Sequence, residues 1–370
     1  MTTRTRILQI IPTLVRGGAE KQLTLLACGL PREEFEVQVC VLSHLGPYEA
    51  ILREQGIPVD CIGKRWKVDP PAYFRLRRRI RRWQPDLVHT WLFAANSYGR
   101  QAARSAGVRH LVAGERCVDR WKVGYELAID RYLARHTQAI VANSTGVRDF
   151  YVQHGLPADH FRIIPNGIEP DPSPARATRE ELLNELRLPQ DAKLIGAVGR
   201  LWPQKRYLDL IWAAELLRVA RDDVHLLILG DGPQRDALQT YRDQIQATSR
   251  VHFLGERKDV SRWLPHFDCF WLASGYEGQS NALMEAMLAG VPVIVSDIPG
   301  NRDLVVPDQS GLLVPVGDAG AFARQTQRLL ENRDLAKQLG NAGRQRMLNE
   351  FSVPKMIARH VELYRTLLNQ

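Results

Sequence analysis

The chain has 370 residues, which suggests roughly two domains of about 100–200 residues each. Hydrophobic residues make up 45% and charged residues 25%, ordinary proportions for a soluble globular chain. The net charge of +9 sits in one half: residues 1–170 hold 25 Lys+Arg against 16 Asp+Glu, and the remaining 25 basic and 25 acidic residues cancel. A basic half beside a neutral half points to one domain facing an anionic partner. Five cysteines (Cys28, Cys40, Cys61, Cys117, Cys269) are scattered and form no C-x-x-C. That argues against a disulfide framework or a zinc site and suits a reducing cytoplasm. The apolar Ile7 to Ile11 stops at Pro12 and reads as a first strand, not a signal peptide. No run approaches the roughly 20 apolar residues that span a bilayer, so any membrane contact is expected to be peripheral.

Taken in order, Arg6 to Ile11 is a strand, and Thr13 to Glu20 is a glycine turn opening a helix that runs to about Gly29. Phe35 to Leu42 is a strand, Tyr48 to Gln55 a helix and Pro58 to Ile62 a short strand. After Pro70 and Pro71 comes a basic segment ending at Trp83. Asp86 to Thr90, Arg109 to Ala113, Gln138 to Ala142 and Phe161 to Ile164 read as strands, with helices at Phe93 to Ala106, Val123 to Arg135 and Thr145 to His154. Pro165 to Pro174, with four prolines and an Asn-Gly pair, reads as a linker. The alternation then restarts, with strands at Lys193 to Val198, Val224 to Leu229, Arg250 to Leu254, Asp268 to Leu272, Val291 to Val295 and Gly311 to Val314. Strands alternating with helices predict parallel sheets with helices on both faces, an α/β fold. The expected domains are 1–170 and 171–350, followed by a C-terminal amphipathic helix over 351–370.

Glu277 to Gly300, EGQSNALMEAMLAGVPVIVSDIPG, organises the second half. Ser280 and Asn281 are good N-cap residues. A helix starting there aims unpaired backbone N–H groups near Asn281, Ala282 and Leu283 at an anion. Glu277 would precede that end and Glu285 would lie one turn inside it. Carboxylates repel phosphate, so their partners would be hydroxyls, as on a ribose and a sugar. The plain alternative is a surface helix with a capping loop and two solvated glutamates. Arg200 and Lys205, in VGRLWPQKR, follow a strand. Two cations there suit a diphosphate, or they form an ordinary basic loop. Gly17 and Gly18 permit close backbone approach to an anion, without forming G-x-G-x-x-G. His89, ending DLVHT, is either a satisfied core histidine or a site residue. Asn143 and Ser144 read as a simple cap.

Glu, seven residues, Glu, then AMLAGVPVIVSDIPG closely resembles the donor-site signature of retaining glycosyltransferases of family 4. The resemblance implies the glycosyltransferase B fold, two Rossmann-like domains facing each other across a cleft, with the last helix crossing back onto the first. It implies a nucleoside diphosphate sugar as donor, UDP- or GDP-linked, and no cofactor. Arg200 and Lys205 would take the diphosphate, Glu277 hydroxyls of the transferred sugar and Glu285 the ribose. The loop of Gly278, Gln279, Ser280, Asn281 and Ala282 would lie under the sugar and phosphates. Gly17 and Gly18 would approach the donor phosphates, Arg257 and Lys258 the base, and His89 would face the cleft. The commonest pattern has Phe or Leu, then Pro, after Glu-Gly; Gln279 and Ser280 stand there instead and add polar groups beside the sugar. The histidine usual after the next strand is missing from AGERC, where Glu115 or Arg116 would share acceptor handling. The implied chemistry is transfer with retention by front-side attack, with Arg200, Lys205, Glu277 and His89 as candidate catalytic residues. No Asp-x-Asp occurs, so no metal is expected on the diphosphate.

Lys64 to Trp83 carries nine cations against Asp69, interleaved with Trp66, Tyr73, Phe74 and Trp83. Cations with interfacial aromatics suit an anionic membrane surface. A solvated basic helix ranks second; a nucleic-acid patch ranks last and is not expected, no nucleic-acid-binding signature being present. The expected acceptor is a saccharide or a lipid-linked saccharide, and the expected location is cytoplasmic, peripheral on the inner face of the cell membrane. The rival readings are a non-catalytic nucleotide-sugar-binding protein and an epimerase-like protein of the same fold.

Overall fold

The computed structural model describes residues 4–170 and 178–369; the expected linker beyond residue 170 falls outside them. The chain divides into two units, residues 1–167 with 351–370 and residues 168–350. In the first unit β1 (Thr5–Thr13), α1 (Gly18–Gly29), β2 (Phe35–His44), α2 (Tyr48–Glu54), β3 (Val59–Cys61), α3 (Pro70–Trp83), β4 (Leu87–Trp91), α4 (Leu92–Ala106), β5 (His110–Glu115), α5 (Gly124–Ala134), β6 (Ala139–Ala142), α6 (Thr145–Gln153) and β7 (Phe161–Ile163) follow in turn. The second holds α7 (Arg179–Leu186), β8 (Lys193–Val198), α8 (Tyr207–Arg218), β9 (Val224–Leu229), α9 (Arg235–Gln244), β10 (Val251–Gly255), α10 (Val260–Trp263), β11 (Cys269–Leu272), α11 (Asn281–Leu288), β12 (Val293–Ser296), α12 (Pro299–Arg302), β13 (Leu312–Val314), α13 (Ala319–Glu331) and α14 (Arg333–Glu350). The last helix, α15 (Val353–Leu368), belongs to the first unit.

The first sheet has the order β3-β2-β1-β4-β5-β6-β7 and the second β10-β9-β8-β11-β12-β13. The paired strands run parallel in both. Two doubly wound sheets are the two Rossmann-like domains that the alternation predicts. Leu87–Trp91 and Val224–Leu229 are buried along their whole length, as strands covered by helices on both faces must be. Strand order reverses between β1 and β4 in one sheet and between β8 and β11 in the other. At such a reversal the connections diverge and leave a crevice at the carboxyl ends.

Local chemistry sets the helix ends. Asp69 accepts from the Ala72 N–H, Pro70 and Pro71 need no donor in the first turn, and Gln84 closes α3 in the left-handed conformation at φ 52°. Ser280 caps α11 by accepting from the Leu283 N–H. No described helix is long and apolar enough to cross a membrane.

In the first unit α1 and α15 share one core with Ile7, Val41 and Trp91; α3 and α4 share another with Leu8, Cys40 and Val88. Within the first of these cores runs a buried polar chain. The Trp91 indole donates to Gln9 at 2.7 Å, Gln9 donates to the Tyr364 hydroxyl at 3.1 Å, and that hydroxyl lies 2.7 Å from His89 Nδ1. Tyr364→Phe removes the middle of the chain and leaves buried Gln9 and His89 each short of a partner. We expect a loss of about 1–3 kcal/mol, read as a lower urea midpoint for the first unit by tryptophan fluorescence; an unchanged midpoint would show that the chain contributes nothing.

Candidate active site

The reversal in the second sheet gathers most of the residues singled out in that half. β8 ends at Val198, and Gly199 follows at φ 153°. A side chain at neighbouring Gly230 would place its Cβ 2.0 Å from the Gly199 carbonyl oxygen, so both turns lie tight against each other. Arg200 is exposed just beyond. A short turn over Pro203–Lys205 returns the chain to the strand ends, where Gly275 N–H donates to the Gln204 carbonyl at 2.8 Å. This contact crosses the reversal. It sets Lys205 Nζ 2.5 Å from Glu277 Oε1, with both side chains largely buried. The Ser274 hydroxyl donates to the same carboxylate oxygen at 2.7 Å.

Behind Glu277 the support is polar. Ser296 donates to the Ser274 carbonyl at 2.5 Å, and Asn301 donates to the Ser296 carbonyl at 2.8 Å. A Cβ on Gly300 would fall 1.9 Å from the Gly278 carbonyl oxygen, so only glycine at 300 lets the loop after Glu277 lie this close. Gly278, Gln279 and Ser280 are buried, whereas Asn281, Ala282 and Glu285 are half-buried in α11. Asn281 and Glu285 are four apart and share one helix face. Lys205, Glu277 and the amino end of α11 thus adjoin one another. A cation, hydroxyl acceptors and the positive end of a helix can together hold an anion attached to polyols.

Arg257 does not offer its guanidinium to a base. Asp259 takes Nε and Nη2 at 2.8 Å each, Glu185 takes Nη1 at 3.0 Å, and the group lies 4.6 Å over the Trp263 ring. These carboxylates hold its pKa above the ordinary value, Asp259 foremost.

In the first unit the Gly17–Gly18 turn adjoins a carboxylate that sequence reasoning passed over. Glu20 is buried, accepts from the Thr13 hydroxyl at 3.1 Å, and would lie 2.2 Å from a Cβ on Gly17. Its signal was an acid two residues into the helix after a Gly-Gly pair. The structure corrects the expectation that His89 faces a cleft. It is fully buried, stacked 4.8 Å from Trp91 and covered by His360 and Tyr364 of α15. Burial first, then His360 and Arg116, hold its pKa well below the ordinary value. It is a neutral core histidine with no atom open to an acceptor.

Glu115 and Arg116 are also buried. Glu115 accepts from Asn96 at 2.8 Å and from the Tyr151 hydroxyl at 2.9 Å, with Lys122 3.6 Å away. Burial pushes its carboxyl up to about 7 against the pull of Lys122. Arg116 lies 4.8 Å from the Trp91 ring and donates to Asn166 at 2.9 Å; burial brings it down to about 9. The strand-to-helix turn beside them contains Leu92 at φ 65°, a left-handed conformation that a leucine adopts only when its surroundings impose it.

Two family models match the chain: Glycosyltransferase Family 4 over residues 16–172 and Glycosyl transferases group 1 over residues 178–346. A UDP-Gal:alpha-D-GlcNAc-diphosphoundecaprenol alpha-1,3-galactosyltransferase of Escherichia coli is 28% identical over 90% of each chain. A GDP-mannose-dependent alpha-mannosyltransferase of Mycobacterium tuberculosis is 30% identical over 66% of this chain and 64% of its own. Among solved structures, Anabaena Alr3699/HepE in complex with UDP and glucose superimposes with a TM-score of 0.86 at 22% identity, covering 98% of this chain and 100% of that one.

The Lys205–Glu277 contact gives a direct test of the site. In a double-mutant cycle of Lys205→Met and Glu277→Gln, the two losses of stability should fall short of additivity by about 0.5–3 kcal/mol, read from urea unfolding of the second unit. Additive losses would show that the two charges do not interact.

Proposed function

We propose that this chain, which belongs to the family 4 glycosyltransferases of the glycosyltransferase B fold, transfers a sugar from a UDP- or GDP-sugar to a hydroxyl of a saccharide or lipid-linked saccharide, with retention and without a metal ion. The observation that carries the donor reading is the Lys205–Glu277 pair beside the amino end of α11. The two relatives named above act with UDP-Gal and GDP-mannose, which supports the same donor class here.

The chemistry follows from charge. Without donor, Lys205 and Glu277 neutralise each other. A diphosphate arriving at α11 competes for the ammonium, and Arg200, exposed nearby, adds a second cation. Glu277 then turns an oxygen to a hydroxyl of the transferred sugar, and Glu285 takes the ribose. Both cations stabilise the charge that grows on the diphosphate as the sugar C1–O bond breaks. The acceptor oxygen bonds to C1 on the face the phosphate leaves, and its proton passes to a phosphate oxygen of the leaving group. Atoms and charge balance with no protein nucleophile. The basic segment 64–83 would hold the protein on an anionic membrane surface, where a lipid-linked acceptor resides, and we place the protein in the cytoplasm on that surface.

Titration calorimetry with UDP-, GDP- and ADP-sugars in EDTA tests this. We expect one nucleotide to bind clearly better than the rest, and Glu285→Ala and Lys205→Met each to weaken it about tenfold or more, as loss of a charge-assisted hydrogen bond of about 1.5–3 kcal/mol requires. With that donor and an acceptor, NMR of the product should show the donor's anomeric configuration. Binding of no nucleotide sugar by folded protein would refute the donor site. Binding with epimerisation or without any transfer would refute the transferase reaction.

A further inference from the structure

In α5 two acids are buried alongside Leu127, Leu133 and Ala134, and large apolar side chains stand outside. Its inward face includes Glu126 and Asp130, both buried; its outward face carries Tyr125, Ile129 and Tyr132, following Trp121 and Val123. Trp121 is 56% exposed, Tyr125 50% and Tyr132 48%. Steps of four and three residues place Tyr125, Ile129 and Tyr132 on one stripe, and Trp121 stands in the turn before the helix. A helix at a water-facing surface ordinarily shows charge outward and apolar groups inward.

The inward charges are accounted for. Asp130 accepts from Arg100 at 3.0 Å and from Lys122 at 2.8 Å, and Lys122 also donates to the Tyr151 hydroxyl at 2.6 Å. Among the described residues of the first unit, Arg104 donates to the Tyr132 hydroxyl at 2.6 Å, and the outward stripe keeps its exposure all the same. It does not stand alone. Lys67 donates to the Tyr125 hydroxyl and pairs with Glu126 at 3.4 Å, so the loop bearing Trp66 and Val68, exposed by 64% and 76%, abuts it. The edge of Phe93 meets Trp121 at 5.5 Å between centroids. On α3, beyond this loop, Phe74, Arg78, Arg81 and Arg82 are exposed. The only acid of segment 64–83, Asp69, is buried as the α3 cap. The outward charge of that segment is therefore wholly positive.

We propose that the α5 stripe and the Trp66 loop form a ledge that enters the headgroup region of an anionic lipid bilayer, with the α3 arginines on lipid phosphates. Tryptophan and tyrosine suit that depth, having an apolar body and one polar atom. Excess positive charge complements an anionic leaflet. The other occupants fit less well. Val68, Val123 and Ile129 offer a nucleic acid nothing to stack on. A second copy on a two-fold axis would bring the same basic rim against itself. The ledge flanks the carboxyl ends of β4 and β5, the edge where such a sheet takes ligands. For its purpose, presenting a membrane-borne acceptor there, the inference rests on the transferase reading; for its physics it does not.

The test is flotation of the full chain with vesicles of equal parts phosphatidylcholine and phosphatidylglycerol, against pure phosphatidylcholine. Wild type should partition about tenfold more strongly into the anionic vesicles. Trp121→Ser/Ile129→Ser and Arg78→Gln/Arg81→Gln/Arg82→Gln should each lose most of that partition while keeping donor affinity and thermal midpoint. Tryptophan quenching by brominated lipid should fall in the first variant. Donor binding without vesicle partition would overturn the ledge alone, and partition without donor binding would overturn the transferase reading alone. Partition unaffected by Trp121→Ser/Ile129→Ser would also refute the ledge. So would self-association, or retention on RNA, that this variant abolishes in place of vesicle binding.

Discussion

Parallel pairing is the constraint from which the rest of this structure follows. A parallel strand can be re-entered only after a crossover, so each strand here is followed by a helix, and the connections that leave the strands collect at one edge of each sheet. Where strand order reverses, two such connections part. In the second unit they are the turns at Gly199 and at Glu277. Neither turn alone makes a site. One contributes a cation and the other a carboxylate, and the Gly275–Gln204 hydrogen bond sets the distance between them.

The two units solve the problem of buried charge differently. In the second, Lys205 and Glu277 are close but keep part of their surface, and such a pair can exchange partners when a ligand brings its own charge. In the first, Lys122 sits among Glu115, Asp119 and Asp130 with no exposed side-chain surface. Removing one member of so dry a group leaves the others uncompensated, and this holds it fixed. The fixed network, with Leu127 and Leu133, anchors α5 by one side, and Tyr125, Ile129 and Tyr132 are left outside.

This difference also explains what could be read from the residues alone. The strands were legible because a parallel sheet covered on both faces needs continuous apolar runs, as in LVHTW and VHLLIL. The start of α11 was legible because Ser280 precedes Asn-Ala-Leu, and a hydroxyl before such a run is a cap. The direction of α5 was not. Leu127 and Leu133 make one stripe, Tyr125, Ile129 and Tyr132 another, and periodicity cannot say which is inside. The choice is made by Lys122 and by Arg100 of α4, and a buried charge looks in sequence like a solvated one. Arg257 was expected beside the base, yet Asp259, two residues on, claims its guanidinium. His89 stayed undecided between two environments because the ring that settles it, Tyr364, lies 275 residues further along.

That last distance has a consequence for how the chain is made. Val353, Met356, Val361, Leu363, Tyr364 and Leu367 of α15 belong to the same core as Ile7 and Leu23. During synthesis the amino-terminal sheet therefore leaves the ribosome with part of one apolar face uncovered. It keeps that face through the whole production of the second unit, which lies between it and its missing helix. The second unit can close as soon as its own residues emerge, but the first cannot until α15 is released. The protein's exposure to aggregation and to holding chaperones is thus set by the order of its segments, and it falls on the half that appears first.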